Sequence, residues 1–96
     1  MKWKSLIQTD PSVSFLSGRH GTLHKHHVLH GTANRKKAEE DGLYVMLTVD
    51  EHQRLHDQGE YDNELKQIAE REWIKHYGSV EQFIKRYGRN YLYDEY

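Results

Sequence analysis

The chain has no cysteine and a single proline, Pro11. Neither a disulfide scaffold nor a thiolate zinc site can therefore form. It also has no long apolar run, which excludes a membrane-spanning helix, and its opening stretch MKWKSLIQTDPS lacks the continuous apolar segment of a secretory leader. These absences predict a soluble intracellular protein. An excess of positive charge is missing as well: 14 Lys+Arg stand against 15 Asp+Glu, a net charge of −1 with neutral histidines. No global field draws such a chain to nucleic acid, so any DNA binding must be local. Apolar residues make up 35% of 96, which predicts one domain over residues 1–96 with a modest core. Much of that core should come from seven tyrosines, two tryptophans and two phenylalanines.

Histidine is what the chain has in abundance, eight in 96 residues. Imidazole changes charge between roughly pH 5 and 8 and ligates metal in its neutral form. Four of the eight form a pattern: the adjacent pair His26-His27, then His52 and His56. A spacing of i,i+4 puts His52 and His56 on one helical face, about 5–6 Å apart at Cβ, as two ligands of one ion require. His24 is a further candidate ligand. His20, His30 and His76 have no partner placed by sequence and are expected at the surface or in packing.

The local signals give the pattern a context. Val13, Phe15 and Leu16 suggest a short edge strand, and Thr22–Leu29 reads as a strand running into the turn-rich His30-Gly31-Thr32-Ala33-Asn34. Arg35–Asp41 predicts one or two helical turns ended by Gly42, and Leu43–Leu47 is the best strand candidate. Thr48-Val49-Asp50-Glu51 fits a capping box, because the threonine side chain can accept from the Glu51 N–H while Glu51 reaches back to Thr48. A helix should start at Val49 and stop before Gly59. Neighbouring strand residues face opposite ways, so His26 and His27 can share a site only where the strand ends or bends.

Residues 62–92 predict a helical extension. Leu65, Ile68, Ala69 and Trp73 form one apolar stripe ended by Gly78. Ser79 with Gln82 forms a second capping box, followed by a stripe of Val80, Phe83, Ile84, Tyr87 and Tyr91, read as core and not as a base-stacking platform. The predicted class is α+β, two strands and a ligand-bearing helix over residues 22–57 covered by two C-terminal helices. Lys36-Lys37, Lys85-Arg86 and Arg89 are candidate phosphate contacts, while Asp94-Glu95 argues against DNA at the C-terminal tip.

A strand ending in His-His, a second strand and a capped H-x-x-x-H helix together resemble the ββα-metal motif of the HNH endonuclease family. The His-His plus H-x-x-x-H pattern is most similar to that of the colicin-type DNases. The stretch LHKHHVLHGTANRKKAEEDGLYVMLTVDEHQRLH, with the tail EQFIKRYGRNYL, also resembles small phage-encoded HNH-like proteins. The resemblance implies a nuclease hydrolysing DNA phosphodiester bonds, with His27 as general base and His26, His52 and His56 holding one divalent cation: Mg, Mn, Ni or Zn. Arg35 and Lys36 are then candidate phosphate ligands, Arg35 because a guanidinium matches phosphate oxygens in pairs. For a phage-encoded chain, the implied location is the cytoplasm of a bacterial host.

The chain departs from the family pattern in two places. The asparagine that steadies the base histidine should precede the second strand, where Asp41-Gly42-Leu43 stands, so Asp41 and Asn34 are the candidate orienting residues. Where many relatives carry the first cysteine pair of a zinc knuckle, this chain has Ser14-x-x-Ser17, and packing should replace the knuckle. The alternative expectation is a catalytically silent HNH-like phage protein that binds a host protein to inhibit or recruit it. A third is a closed structural zinc module built on the four histidines.

Overall fold

A computed structural model describes residues 3–92. The order is β1 (Leu23–His27), α1 (Thr32–Asp41), β2 (Tyr44–Thr48), α2 (Val49–Gln58), α3 (Asp62–Tyr77) and α4 (Val80–Tyr87). The fold is α+β. β1 and β2 pair antiparallel with His26 opposite Val45 and His27 opposite Tyr44. The expected strand at Val13–Leu16 does not form: that segment is turns, joined to β2 by Phe15 N–H donating to the Met46 carbonyl at 2.8 Å. Asp94 and Glu95, expected to repel DNA, lie outside the described residues.

Local chemistry sets the helix ends. At the start of α2 the Thr48 side chain accepts from Glu51 N–H and the Glu51 carboxylate accepts from Thr48 N–H, so both halves of the capping box are present. Glu51 also accepts from the Ser14 hydroxyl. Ser14, standing where a cysteine ligand was sought, is thus a buried hydrogen-bond donor. Burial pushes the Glu51 carboxyl up, but hydrogen bonds from Ser14, Ser17 and Thr48 outweigh it and hold it below the usual range. Ser79 and Gln82 form the same reciprocal box at α4.

α1 is longer than its charged residues predicted, starting at Thr32 and closing on Gly42 at φ +81. Gly42 is required twice over. Its φ is left-handed, and a Cβ there would meet the Lys4 carbonyl oxygen at 2.5 Å.

One apolar cluster joins all the elements: Val28 and Leu29 after β1, Ala38 of α1, Val45 and Leu47 of β2, Leu55 of α2, Leu65, Ala69 and Trp73 of α3, and Phe83 and Tyr87 of α4. Tyr91, beyond the end of α4, packs against this cluster with its ring 6.3 Å from that of Phe83. Ile84 of the expected stripe is exposed instead. Three turns of packed stripe on α3 and two on α4 therefore carry the helical layer against the ββα unit, and the exposed Ile84 bounds its edge.

Candidate metal centre

Strand alternation places His24 and His26 on one face of β1 and Lys25 and His27 on the other. The face bearing His24 and His26 meets α2. The His26 ring lies 5.1 Å from His52 and 5.8 Å from His56, while the His24 ring lies 5.4 Å from His52. On α2 the one-turn spacing brings His52 Nε2 and His56 Nε2 to 3.0 Å. Two nitrogens bound to one ion at ~2.05 Å stand about 2.9 Å apart at a right angle and about 3.3 Å apart at the tetrahedral angle. Potential ligand atoms of His26, His52 and His56 all lie within 4.8 Å of one another.

His26 is the anchor of this group. It is 2% exposed, and its Nε2 is buried without a hydrogen-bond partner. A buried polar nitrogen with no partner forfeits its hydration, typically at a cost of about 1–3 kcal/mol, unless something else binds it. Burial, followed by the fields of His52, His30 and His56, pushes the His26 pKa down to about 3, with Asp62 opposing. His52 is lowered too, by burial first and then by His56, His24 and His30. Both imidazoles are therefore neutral near pH 7, the form that ligates metal. The donor set and the unsatisfied nitrogen fit a divalent ion. His24 Nδ1 meets His52 Nδ1 at 3.3 Å, so His24 orients the far side of His52 and stands behind the triad.

His27, the last residue of β1, faces the other way with Lys25, yet both line the same cavity as His26. A cavity of about 570 Å³ is lined by His26, His27, His52 and His56 together with Arg35. Lys25, Leu29, His30 and Gly31 complete it, and no carboxylate side chain lines it. Lys25 and Arg35 bring positive charge to the wall, with Glu39 paired to Lys25 and Asp62 to His30 beside it.

Asp41 and Asn34, the expected orienting residues, contact the C-terminal helices. Asp41 accepts from Trp73 Nε1 at 2.8 Å, from Arg86 Nε at 2.6 Å and Nη2 at 3.0 Å, and from the Tyr87 hydroxyl at 2.7 Å. It therefore ties α1 to α3 and α4. Asn34 donates to the Tyr87 carbonyl at 3.3 Å, also on the α4 side. Glu39 takes the position by His27 instead, its Oε1 2.7 Å from His27 Nε2 and 2.7 Å from Lys25 Nζ. Hydrogen bonds from Lys25 and then His27 hold the Glu39 carboxyl below its ordinary range. An ionised Glu39 accepts from Nε2–H, which leaves the lone pair of His27 on Nδ1. Lys36 is exposed on α1 and is not part of the cavity wall, whereas Arg35 is. Lys37 is spent on the Arg86 carbonyl at 2.8 Å and Arg86 on Asp41, so neither is a free phosphate contact.

His30, for which the sequence places no partner, is exposed as expected. It lines the cavity, and its Nε2 lies 2.8 Å from Asp62 Oδ1 at the start of α3. Burial raises the Asp62 carboxyl, but Lys66 and His30 outweigh it and leave it lowered. His76 remains exposed beside Glu72. No described helix is long and apolar enough to cross a membrane. Comparison with family models, curated proteins and solved structures finds no match to this chain.

Proposed function

We propose that this chain is a metal-dependent phosphodiesterase of the HNH type, acting on DNA. The observation that carries the proposal is the single cavity in which a buried, unpartnered His26 Nε2 meets His52 and His56 beside His27, Arg35 and Lys25, with no carboxylate in the wall. His26, His52 and His56 would hold one divalent cation, which when bound stabilises negative charge developing on the phosphate and the leaving oxygen.

The chain's own groups divide the remaining work. His27 accepts the proton of the attacking water at Nδ1, its tautomer held by Glu39 at Nε2. General-base catalysis of this kind is typically worth ~10²–10⁴-fold. Arg35 grips non-bridging phosphate oxygens in pairs, and Lys25 adds a point charge while remaining tied to Glu39. Gly31 lies in the wall immediately before α1, whose first turn has no acidic residue and no side-chain cap. The positive end of that helix favours an anion there. With all contacts confined to phosphate and no separate reading element, low sequence preference is expected.

Nicking of supercoiled plasmid with Mg²⁺, Mn²⁺, Ni²⁺ or Zn²⁺ tests the proposal. Cleavage by the wild type, reduced at least a hundredfold in His27→Ala, is expected. Absence of cleavage with every metal, or an unchanged rate in His27→Ala, refutes it. A second reading, a silent scaffold that binds a host protein, is favoured by one observation: Asp41 and Asn34 serve packing against α3 and α4 instead of the site. It predicts metal uptake without cleavage.

A further inference from the structure

We propose a second seat for a divalent cation in the same cluster, formed by His26, His30 and Asp62. It rests on the metal-site reading above and extends it across the boundary between the ββα unit and the helical layer. Three observations meet there. One potential ligand atom from each of the three residues lies within 4.8 Å of the other two, the same closeness found for His26, His52 and His56. The buried Nε2 of His26 has no partner among the described residues. His30 Nε2 and Asp62 Oδ1 are already 2.8 Å apart, the imidazole and the carboxylate brought together from positions 32 residues apart.

The local build suits a metal ligand. Asp62 is held from behind by Lys66, whose Nζ lies 2.8 Å from Oδ2, leaving Oδ1 directed at His30. A ligating carboxylate fixed by an outer partner on its second oxygen is the usual arrangement in metal sites. Asp62 also follows Tyr61, the one described non-glycine residue with positive φ, at 65. Such a backbone is uncommon for a bulky side chain and is kept where the surrounding structure demands it. His30 is exposed, so an ion can enter from solvent.

The two seats differ in chemistry. Three imidazoles suit Zn²⁺, while two imidazoles and a carboxylate make a harder, more negative seat that accepts Mn²⁺ more readily. Because both use His26, their occupancy is competitive. An ion in the second seat would tie the first turn of α3 to the β1–α1 loop, bracing one wall of the cavity.

Mn²⁺ titration, followed by loss of the free-ion paramagnetic resonance signal, tests this on the full chain, with far-ultraviolet circular dichroism checking that each variant is folded. The double variant His52→Ala/His56→Ala should still bind one Mn²⁺, and adding Asp62→Asn should raise its Kd at least tenfold. His30→Ala in the same background should do likewise, and in the wild type Asp62→Asn should weaken Mn²⁺ more than Zn²⁺. The proposal is overturned if the double variant binds no Mn²⁺ while the wild type does, or if Asp62→Asn leaves its Kd unchanged. Those results leave the first seat standing. A folded wild type that takes up neither Mn²⁺ nor Zn²⁺ overturns both seats.

Discussion

Acid should weaken the metal-free fold chiefly through His26. Its pKa is pushed down to about 3, by burial first and then by neighbouring histidines, from an ordinary value of 6.5. The unfolded chain therefore takes up this proton as pH drops below about 6.5, while the folded chain refuses it until about pH 3. The unfolded state binds more protons through that window, so stability falls as pH falls. Between pH 7.5 and pH 4.5 about two pH units of the window are crossed, and at ~1.4 kcal/mol per unit the loss is about 3 kcal/mol. For a domain with typical stability of about 5–15 kcal/mol this is a large fraction. Urea unfolding in EDTA, followed by fluorescence of the buried Trp73, measures it in the wild type and in His26→Gln, which has no imidazole at that position. His52 titrates in both chains, and because His26 stays uncharged over this interval the contribution of His52 is nearly the same in each. The wild type should lose about 3 kcal/mol more than His26→Gln over that interval. Parallel losses, within about 1 kcal/mol, would refute the assignment of His26 as a neutral imidazole kept dry by the fold.

Glu39→Gln should slow plasmid nicking about 10–100-fold with little change in substrate affinity, because the amide no longer selects the His27 tautomer that carries its lone pair on Nδ1. A rate equal to wild type would show that Glu39 serves only Lys25. Asp41→Asn should cost about 2–3 kcal/mol, below the range for fully buried pairs because Arg86 is partly exposed, while leaving the Kd for metal unchanged. Chemical denaturation and metal titration of the same preparation check both halves, and a weakened metal Kd would return Asp41 to the site.

What could be read in the sequence follows from the range of each signal. The start of α2 was legible because a capping box is complete within four residues, and the shared face of His52 and His56 because i,i+4 spacing alone sets it. The two C-terminal stripes were legible for the same reason, except Ile84, which stands at the edge of its stripe and is 37% exposed. Contacts between elements were not legible. Nothing local marks Asp62 among 15 acidic residues as the partner of His30, since the pair is made by α3 docking beside the β1–α1 loop.

That Glu39 and not Asp41 meets His27 has a geometric cause. The expectation put the orienting carboxylate at Asp41, just before the second strand, which is reasonable if only one or two turns precede Gly42. The helix instead begins at Thr32 and runs ten residues, so Glu39 and Asp41 both lie on its regular surface. Two helical residues apart is about 200° of rotation, nearly opposite faces. Once Asp41 is drawn to Arg86, Tyr87 and Trp73 on one side, Glu39 must face the other, where β1 presents Lys25 and His27. The same rotation of about 100° per residue separates Arg35, in the cavity wall, from Lys36, outside it. The length of α1 and the anchoring of Asp41 thus decide which carboxylate holds His27 and which cation lines the cavity. A change that unwinds the first turn of α1 would disturb the Arg35 side of the cavity and spare the histidines on α2, because His26, His52 and His56 stand on β1 and α2.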